Sequence, residues 1–281
     1  MIVFADMDGT LFTSDKRLSA GTFRMLDELL ARGMEFVPAT GRPLSGVPAE
    51  LLAHPAVHYV LCSAGAAMVR LCPEDRTDLS RAETIMSAPL PREKALELWD
   101  MAKRHDVTFE VMADGDCLQR RDMYERLEEF SMDDPNIAAA LKTVHTPVDE
   151  EPEETIARVG LLERVIIYWR DPEEGAAVRR ELDAIDGIDV TRSFPNNFEV
   201  AADGVTKGSA LRWLCGHLAI PVEESVAFGD SFNDLAMLRD AGAGYAMLNA
   251  DREAKEAADR VTAWDNDHDG VARTVMSLLG E

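Results

Sequence analysis

Two carboxylates stand one residue apart at Asp6 and Asp8, directly after the apolar run Ile2-Val3-Phe4-Ala5, and Gly9 follows them. A short buried strand ended by two acids and a glycine leaves both acids at its carboxyl end, the rim where open parallel sheets bind ligands. Other polar residues follow apolar runs in the same way. Thr40 and Gly41 come after Glu35–Ala39, and Asp230, Asn233 and Asp234 come after Ser225–Phe228, while Lys207 stands at a helix start. Carboxylates gathered at one rim make a hard-oxygen site suited to Mg²⁺, which keeps waters and accepts one or two carboxylates together with a substrate phosphate. A lysine, a hydroxyl and free backbone N–H groups suit the phosphate itself. Together these residue types can perform metal-assisted phosphoryl transfer.

Taken singly, each also has an ordinary structural reading. Asp6 and Asp8 could form an acidic turn, Thr40 could cap the next turn, and Lys207 could lie on the surface. Asp230 and Asp234 could be helix-start acids of the kind that capping and dipole preferences allow.

The elements that must position these residues alternate. Phe23, Leu26, Leu29 and Leu30 recur at helical spacing, with Ser19 as a capping residue before them and Gly33 past the end. Glu35–Ala39 reads as a second buried strand and Val57–Cys62 as a third, so the fold class is α/β, with a Rossmann-like, doubly wound parallel sheet. The regularity changes near Thr84, where Pro89 and Pro91 precede an amphipathic helix around Ala95, Leu98, Trp99 and Ala102. Strands are then expected at Val107–Met112, Arg164–Trp169, Asp189–Ser193 and Asn197–Ala201. Helices are expected around Tyr124–Phe130, Ile137–Leu141 and Glu173–Ile185. The acidic run from Pro147 to Glu154 reads as a solvated loop. From Asp203 the first pattern resumes: a helix from Lys207 to His217, a strand at Ser225–Phe228 and another at Gly244–Met247. The expected organisation is a core of residues 1–83 and 203–281 with an α+β domain, residues 84–202, inserted into it as an antiparallel sheet with helices on one face.

Composition narrows the class. At 281 residues the chain is long enough for two domains, and 46% apolar with 29% charged residues is ordinary for a globular protein. A net charge of −23 argues against nucleic acid or an anionic membrane as partner. The N-terminal run lacks the layout of a signal peptide, which reads as cytoplasmic. Cys62, Cys72, Cys117 and Cys215 show no Cys-x-x-Cys spacing, so zinc and redox motifs are absent and the cysteines read as reduced core residues.

Four ordered segments resemble the motifs of the haloacid dehalogenase superfamily, and within it the Cof-like phosphatases: Asp6-Met7-Asp8-Gly9-Thr10, Thr40-Gly41-Arg42, Gly204-Val205-Thr206-Lys207-Gly208, and Gly229-Asp230-Ser231-Phe232-Asn233-Asp234. The tail, with Ala246-Met247-Leu248-Asn249-Ala250 and Asp269-Gly270-Val271-Ala272, looks similar too. The resemblance covers the core and the placement of the inserted cap. It implies that Asp6 is the nucleophile, forming an aspartyl phosphate, and that Asp8 is the general acid and base. Mg²⁺ would be held by the carboxylates of Asp6 and Asp230 and the backbone carbonyl of Asp8, with Asp234 supporting its waters. Thr40, the Gly41 N–H, Lys207 and Asn233 would bind phosphate oxygens. Arg42 would touch substrate or cap, or pair with a neighbouring acid.

The function so implied is a Mg²⁺-dependent phosphatase of a small phosphorylated metabolite, a sugar phosphate first among the candidates. A phosphomutase of the phosphomannomutase type is the alternative; it would need cap arginines for a second phosphate, for which Arg120 and Arg121 are the nearest. A non-catalytic phosphometabolite-binding protein is a third reading, but binding alone would not need Asp8. One departure stands out: where many relatives carry Asn-Gly-Ala after the third strand, this chain has Ser63-Ala64-Gly65-Ala66. Ala64 removes a polar group near the substrate, which Ser63 could partly replace.

Overall fold

A computed structural model describes residues 1–131, 142 and 145–280. They divide into two compact units. One comprises Met1–Gly41, Val47–Met86 and the chain from Thr206 onward, and the other Arg42–Gly46 and Ser87–Val205.

The first unit is built on a five-stranded sheet in the order Arg260–Val261, Ala243–Ala246, Ser225–Gly229, Ile2–Ala5, Glu35–Pro38. Every neighbouring pair in it is parallel. Ile2–Ala5 lies between Ser225–Gly229 and Glu35–Pro38, with Ile2 level with both Ser225 and Glu35, so the two halves of the chain meet across it. All four of its residues are fully buried, which is why they are apolar without alternation. The helix Ala20–Ala31 follows; Ser19 Oγ accepts from the Thr22 N–H, and Gly33 beyond it takes φ +64°. Its buried stripe runs through Thr22, Met25, Leu26 and Leu29, whereas Leu30 is 41% exposed, so the apolar face is displaced by one position from the one expected.

The third strand departs from the expected pattern. Tyr59–Cys62 touches the parallel sheet through the bridges Phe36–Val57 and Ala39–Leu61, but it then pairs antiparallel with Ala67–Arg70, and Glu83–Ser87 completes a three-stranded sheet. The cause is the run Ser63, Ala64, Gly65, all with positive φ, which turns the chain back on itself into this hairpin.

The second unit carries a six-stranded sheet in the order Ile188–Thr191, Asn197–Ala202, Leu162–Tyr168, Glu110–Ala113, Asp116–Arg120, His145–Val148. It is antiparallel except for the last pair. Helices Arg92–Ala102, Pro152–Arg158 and Pro172–Leu182 bury Leu98, Trp99, Ile156, Val178 and Leu182 against Val111, Val165, Ile167 and Val200 of one sheet face. On the opposite face Leu127 and Phe130 pack against Met112, Cys117, Ile166 and Tyr168, so both faces are covered. The acidic run is not a simple loop. Pro147 and Val148 end a strand, and the Glu151 and Glu154 side chains cap the start of Pro152–Arg158 reciprocally. The helix expected at Ile137–Leu141 lies outside the described residues. Among the described residues, no helix is long and apolar enough to cross a membrane.

Candidate active site

Asp6 continues the central strand: its backbone N–H donates to Phe228 carbonyl at 2.9 Å, and its side chain is buried. The next residues form one wide turn, closed by Leu11 N–H to Asp6 carbonyl at 3.1 Å and Phe12 N–H to Met7 carbonyl at 2.8 Å. Gly9 is required inside that turn. It takes φ +83°, and a Cβ on it would lie 2.5 Å from Asp230 Oδ2. The turn sends the two acids different ways. Asp6 faces the buried cluster, whereas the Asp8 side chain is 35% exposed and accepts from Lys16 Nζ at 2.8 Å.

The loop after Ser225–Gly229 is organised by Asp234. Its Oδ2 accepts from the N–H groups of Asp230 at 2.9 Å and Ser231 at 3.0 Å, and its Oδ1 accepts from Lys207 Nζ at 2.7 Å. Thr10 Oγ1 donates to Asp230 Oδ1 at 2.7 Å, and Asn249 Nδ2 donates to Gly9 carbonyl at 2.8 Å, tying the two loops together. Asn233 is buried, with Oδ1 accepting from Ser231 Oγ at 3.0 Å. Lys207 is the first residue of the helix Lys207–His217, whose N-cap Thr206 accepts from the Ser209 N–H at 3.0 Å. Its fully buried ammonium also donates to Asp6 Oδ1 at 2.5 Å.

Carboxylate oxygens of Asp6, Asp230 and Asp234 thus lie within 4.8 Å of one another, with one ammonium among them. Burial pushes the Asp6 carboxyl well above the ordinary range; Lys207 opposes that rise, and Asp234 and Asp230 add to it. Burial, reinforced by Asp234, pushes Asp230 up to about 7 against the Thr10 hydrogen bond and Lys207. For Lys207, burial disfavours the charge, but Asp234 and Asp6 overcome it and hold the ammonium above the usual lysine range. One ammonium for three carboxylates leaves the cluster short of positive charge, and every donor is a hard oxygen. Both properties fit a divalent cation such as Mg²⁺.

Thr40 reaches the same rim. Ala39 N–H donates to Ala5 carbonyl at 2.8 Å, and Thr40, buried, donates its own N–H to Leu61 carbonyl at 2.8 Å and accepts from the Ala64 N–H at 3.0 Å. Gly41 closes this segment of the first unit. Arg42 belongs to the second unit, where its guanidinium donates to Gly46 carbonyl at 3.1 Å. Gly65 has φ +111°, and a Cβ there would lie 2.2 Å from Thr206 carbonyl, so the third-strand turn packs directly against the start of the Lys207 helix. Ala64 holds φ +54°, a conformation that asparagine adopts more readily than alanine.

The fold therefore brings Asp6, Asp230, Asp234 and Lys207 into contact, sets Asp8 apart beside Lys16, and puts Arg42 in the other unit. Thr10, Lys16 and Asn249 escaped sequence reasoning as partners. Thr10 and Asn249 do fall within segments that carry the family resemblance, while Lys16 has no readable signal.

Comparison with known proteins gives a consistent result. A family model described as haloacid dehalogenase-like hydrolase matches residues 3–275. Pyridoxal phosphate phosphatase YbhA of Escherichia coli is 27% identical, with 99% of this chain and 98% of that protein covered. Phosphatase YwpJ of Bacillus subtilis is 27% identical, with 99% of each covered. Among solved structures, the subclass IIB sugar phosphatase BT4131 superposes with a TM-score of 0.81 at 25% identity, covering 99% of this chain and 98% of that one.

Proposed function

The chain belongs to the haloacid dehalogenase-like hydrolases and is a phosphoric monoester hydrolase, and from that premise we propose that it is a cytoplasmic, Mg²⁺-dependent phosphatase of a sugar phosphate, working through an aspartyl phosphate on Asp6. The observation that carries this reading is the cluster of Asp6, Asp230 and Asp234 around the buried Lys207, with Asp8 held apart and turned to Lys16.

In this reading a carboxylate oxygen of Asp6 attacks phosphorus in line, forming the new P–O bond as the bond to the leaving oxygen breaks. Asp8 gives that oxygen its proton, then takes one from the water that attacks the phosphoaspartate. The Lys207 ammonium, the Thr40 hydroxyl, the Gly41 N–H and the Asn233 amide bind the phosphate oxygens. Asp6, Asp230 and the Asp8 carbonyl would hold Mg²⁺, with Asp234 behind them. When bound, the ion supplies the charge that lets an anionic nucleophile meet an anionic phosphate.

The inserted region, residues 84–202, selects the leaving group in this account. Deleting it is expected to spare an activated aryl phosphate relative to sugar phosphates, and equal losses for both would remove that role. The choice of a sugar phosphate rests on the likeness to BT4131, and YbhA makes pyridoxal phosphate the first competitor. No observation favours a mutase: Arg120 is engaged by Asp122 and Glu151, and Arg121 by Asp149. The test is a screen of phosphorylated metabolites for phosphate release with and without Mg²⁺. Release from sugar phosphates that vanishes without the ion is expected; metal-independent release, or none from sugar phosphates, would refute the proposal.

A further inference from the structure

Three side chains with unlike donor atoms meet inside the second unit. Cys117 lies opposite Met112 on one neighbouring strand and opposite His145 on the other. Glu110, two residues before Met112, shares their sheet face. Glu110 Oε2 lies 2.7 Å from His145 Nε2 and 3.9 Å from Cys117 Sγ, and the three donor atoms all lie within 4.8 Å of one another. All three residues are buried.

We propose that Glu110, Cys117 and His145 form a structural site for a divalent ion of the zinc type, with the side-chain amide oxygen of Gln119 as fourth donor. A thiolate and an imidazole select a borderline-soft ion over Mg²⁺ or Ca²⁺, and four donors with no access for substrate describe a closed structural site. Gln119 supplies the independent observation. It sits in register with Glu110, is 1% exposed, and donates from Nε2 to Glu110 Oε1 at 3.3 Å. Its Oε1 is buried with no hydrogen-bond partner among the described residues. A half-turn about the last side-chain torsion exchanges the two amide atoms and puts that oxygen where Nε2 stands, 3.3 Å from Glu110 Oε1.

The charges balance. An imidazolium, a carboxylate and a neutral thiol carry no net charge, and neither does a divalent ion on an imidazole, a carboxylate and a thiolate. Two protons leave as the ion enters. Burial holds the Cys117 thiol above its ordinary range, so its proton departs only against a cation that takes its place. The ion would tie His145–Val148 to the hairpin of Glu110–Ala113 and Asp116–Arg120, strands far apart in sequence.

The test uses the full chain produced in zinc-supplemented medium, gel-filtered and analysed for metal by plasma mass spectrometry. One zinc per chain is expected to be retained, and replacement by Co²⁺ should give a thiolate-to-cobalt charge-transfer band. The carboxylate cluster, having only oxygen donors, cannot produce that band. Cys117→Ser is expected to lose both the zinc and the band, and a band that survives this change would overturn the site. X-ray absorption at the zinc edge of the unmutated chain needs no variant: one sulfur beside nitrogen and oxygen neighbours is expected. A chain that retains no zinc, or zinc without sulfur, would overturn the proposal.

Discussion

Lys207 Nζ lies 2.5 Å from Asp6 Oδ1, although 201 residues separate them. The same ammonium contacts Asp234, so a single buried cation holds the end of the central strand, the Asp230–Asp234 loop and the start of its own helix, Lys207–His217, together. Lys207→Met leaves both carboxylates without their partner in a buried site. A loss of about 3–5 kcal/mol in urea unfolding is expected, with part of it recovered in Mg²⁺. Unchanged stability would show that the cluster does not depend on this charge.

Asp230 gives a pH dependence with a definite sign. Its carboxyl is raised from the ordinary 3.8 to about 7, so between those values the folded chain holds a proton that the unfolded chain has released. Its contribution to stability is therefore full below about pH 4 and is lost as pH rises through about 7. Measured without divalent ions, the melting temperature of the native chain should fall across that window relative to Asp230→Asn, and Mg²⁺ should reduce the fall near neutrality. Parallel curves would exclude Asp230 as the source.

Two glycines with positive φ separate close packing from backbone strain. A Cβ at Gly33 meets nothing within 4 Å, whereas one at Gly65 would lie 2.2 Å from Thr206 carbonyl. Gly33→Ala should cost about 1 kcal/mol, the left-handed penalty alone. Gly65→Ala should cost at least about 2–3 kcal/mol and lower the rate as well, because it displaces the start of the Lys207 helix. Equal losses in denaturant midpoint would refute the packing argument.

Much of the core was legible because its strands are buried on both faces. Ile2–Ala5 is an unbroken apolar run, and Lys207–His217 begins after a threonine able to cap it. The hairpin after Cys62 was not legible, because only Gly65 of its three left-handed residues signals a turn. Asp116–Arg120 was missed for a different reason: Asp-Cys-Leu-Gln-Arg has no β-branched or aromatic residue and takes its structure from its neighbours. Strand-end position identified which residues reach the rim. It could not identify pairings such as Thr10 with Asp230 or Lys16 with Asp8, which depend on the shape of the turn around Gly9.

Ca²⁺ provides a test of the metal's part. It favours more ligands at longer distances than Mg²⁺, so a chain stripped by chelator should recover turnover with Mg²⁺ and little or none with Ca²⁺. Equal rates with the two ions would mean that charge neutralisation alone suffices.

The most direct measurement is acid quenching during turnover of a substrate found by the screen, followed by mass spectrometry of the N-terminal peptide. A phosphate on Asp6 is expected, more abundant in Asp8→Ala because breakdown needs the base, and absent in Asp6→Asn together with nearly all hydrolysis. A phosphorylated residue other than Asp6, or substantial turnover by Asp6→Asn, would contradict the account.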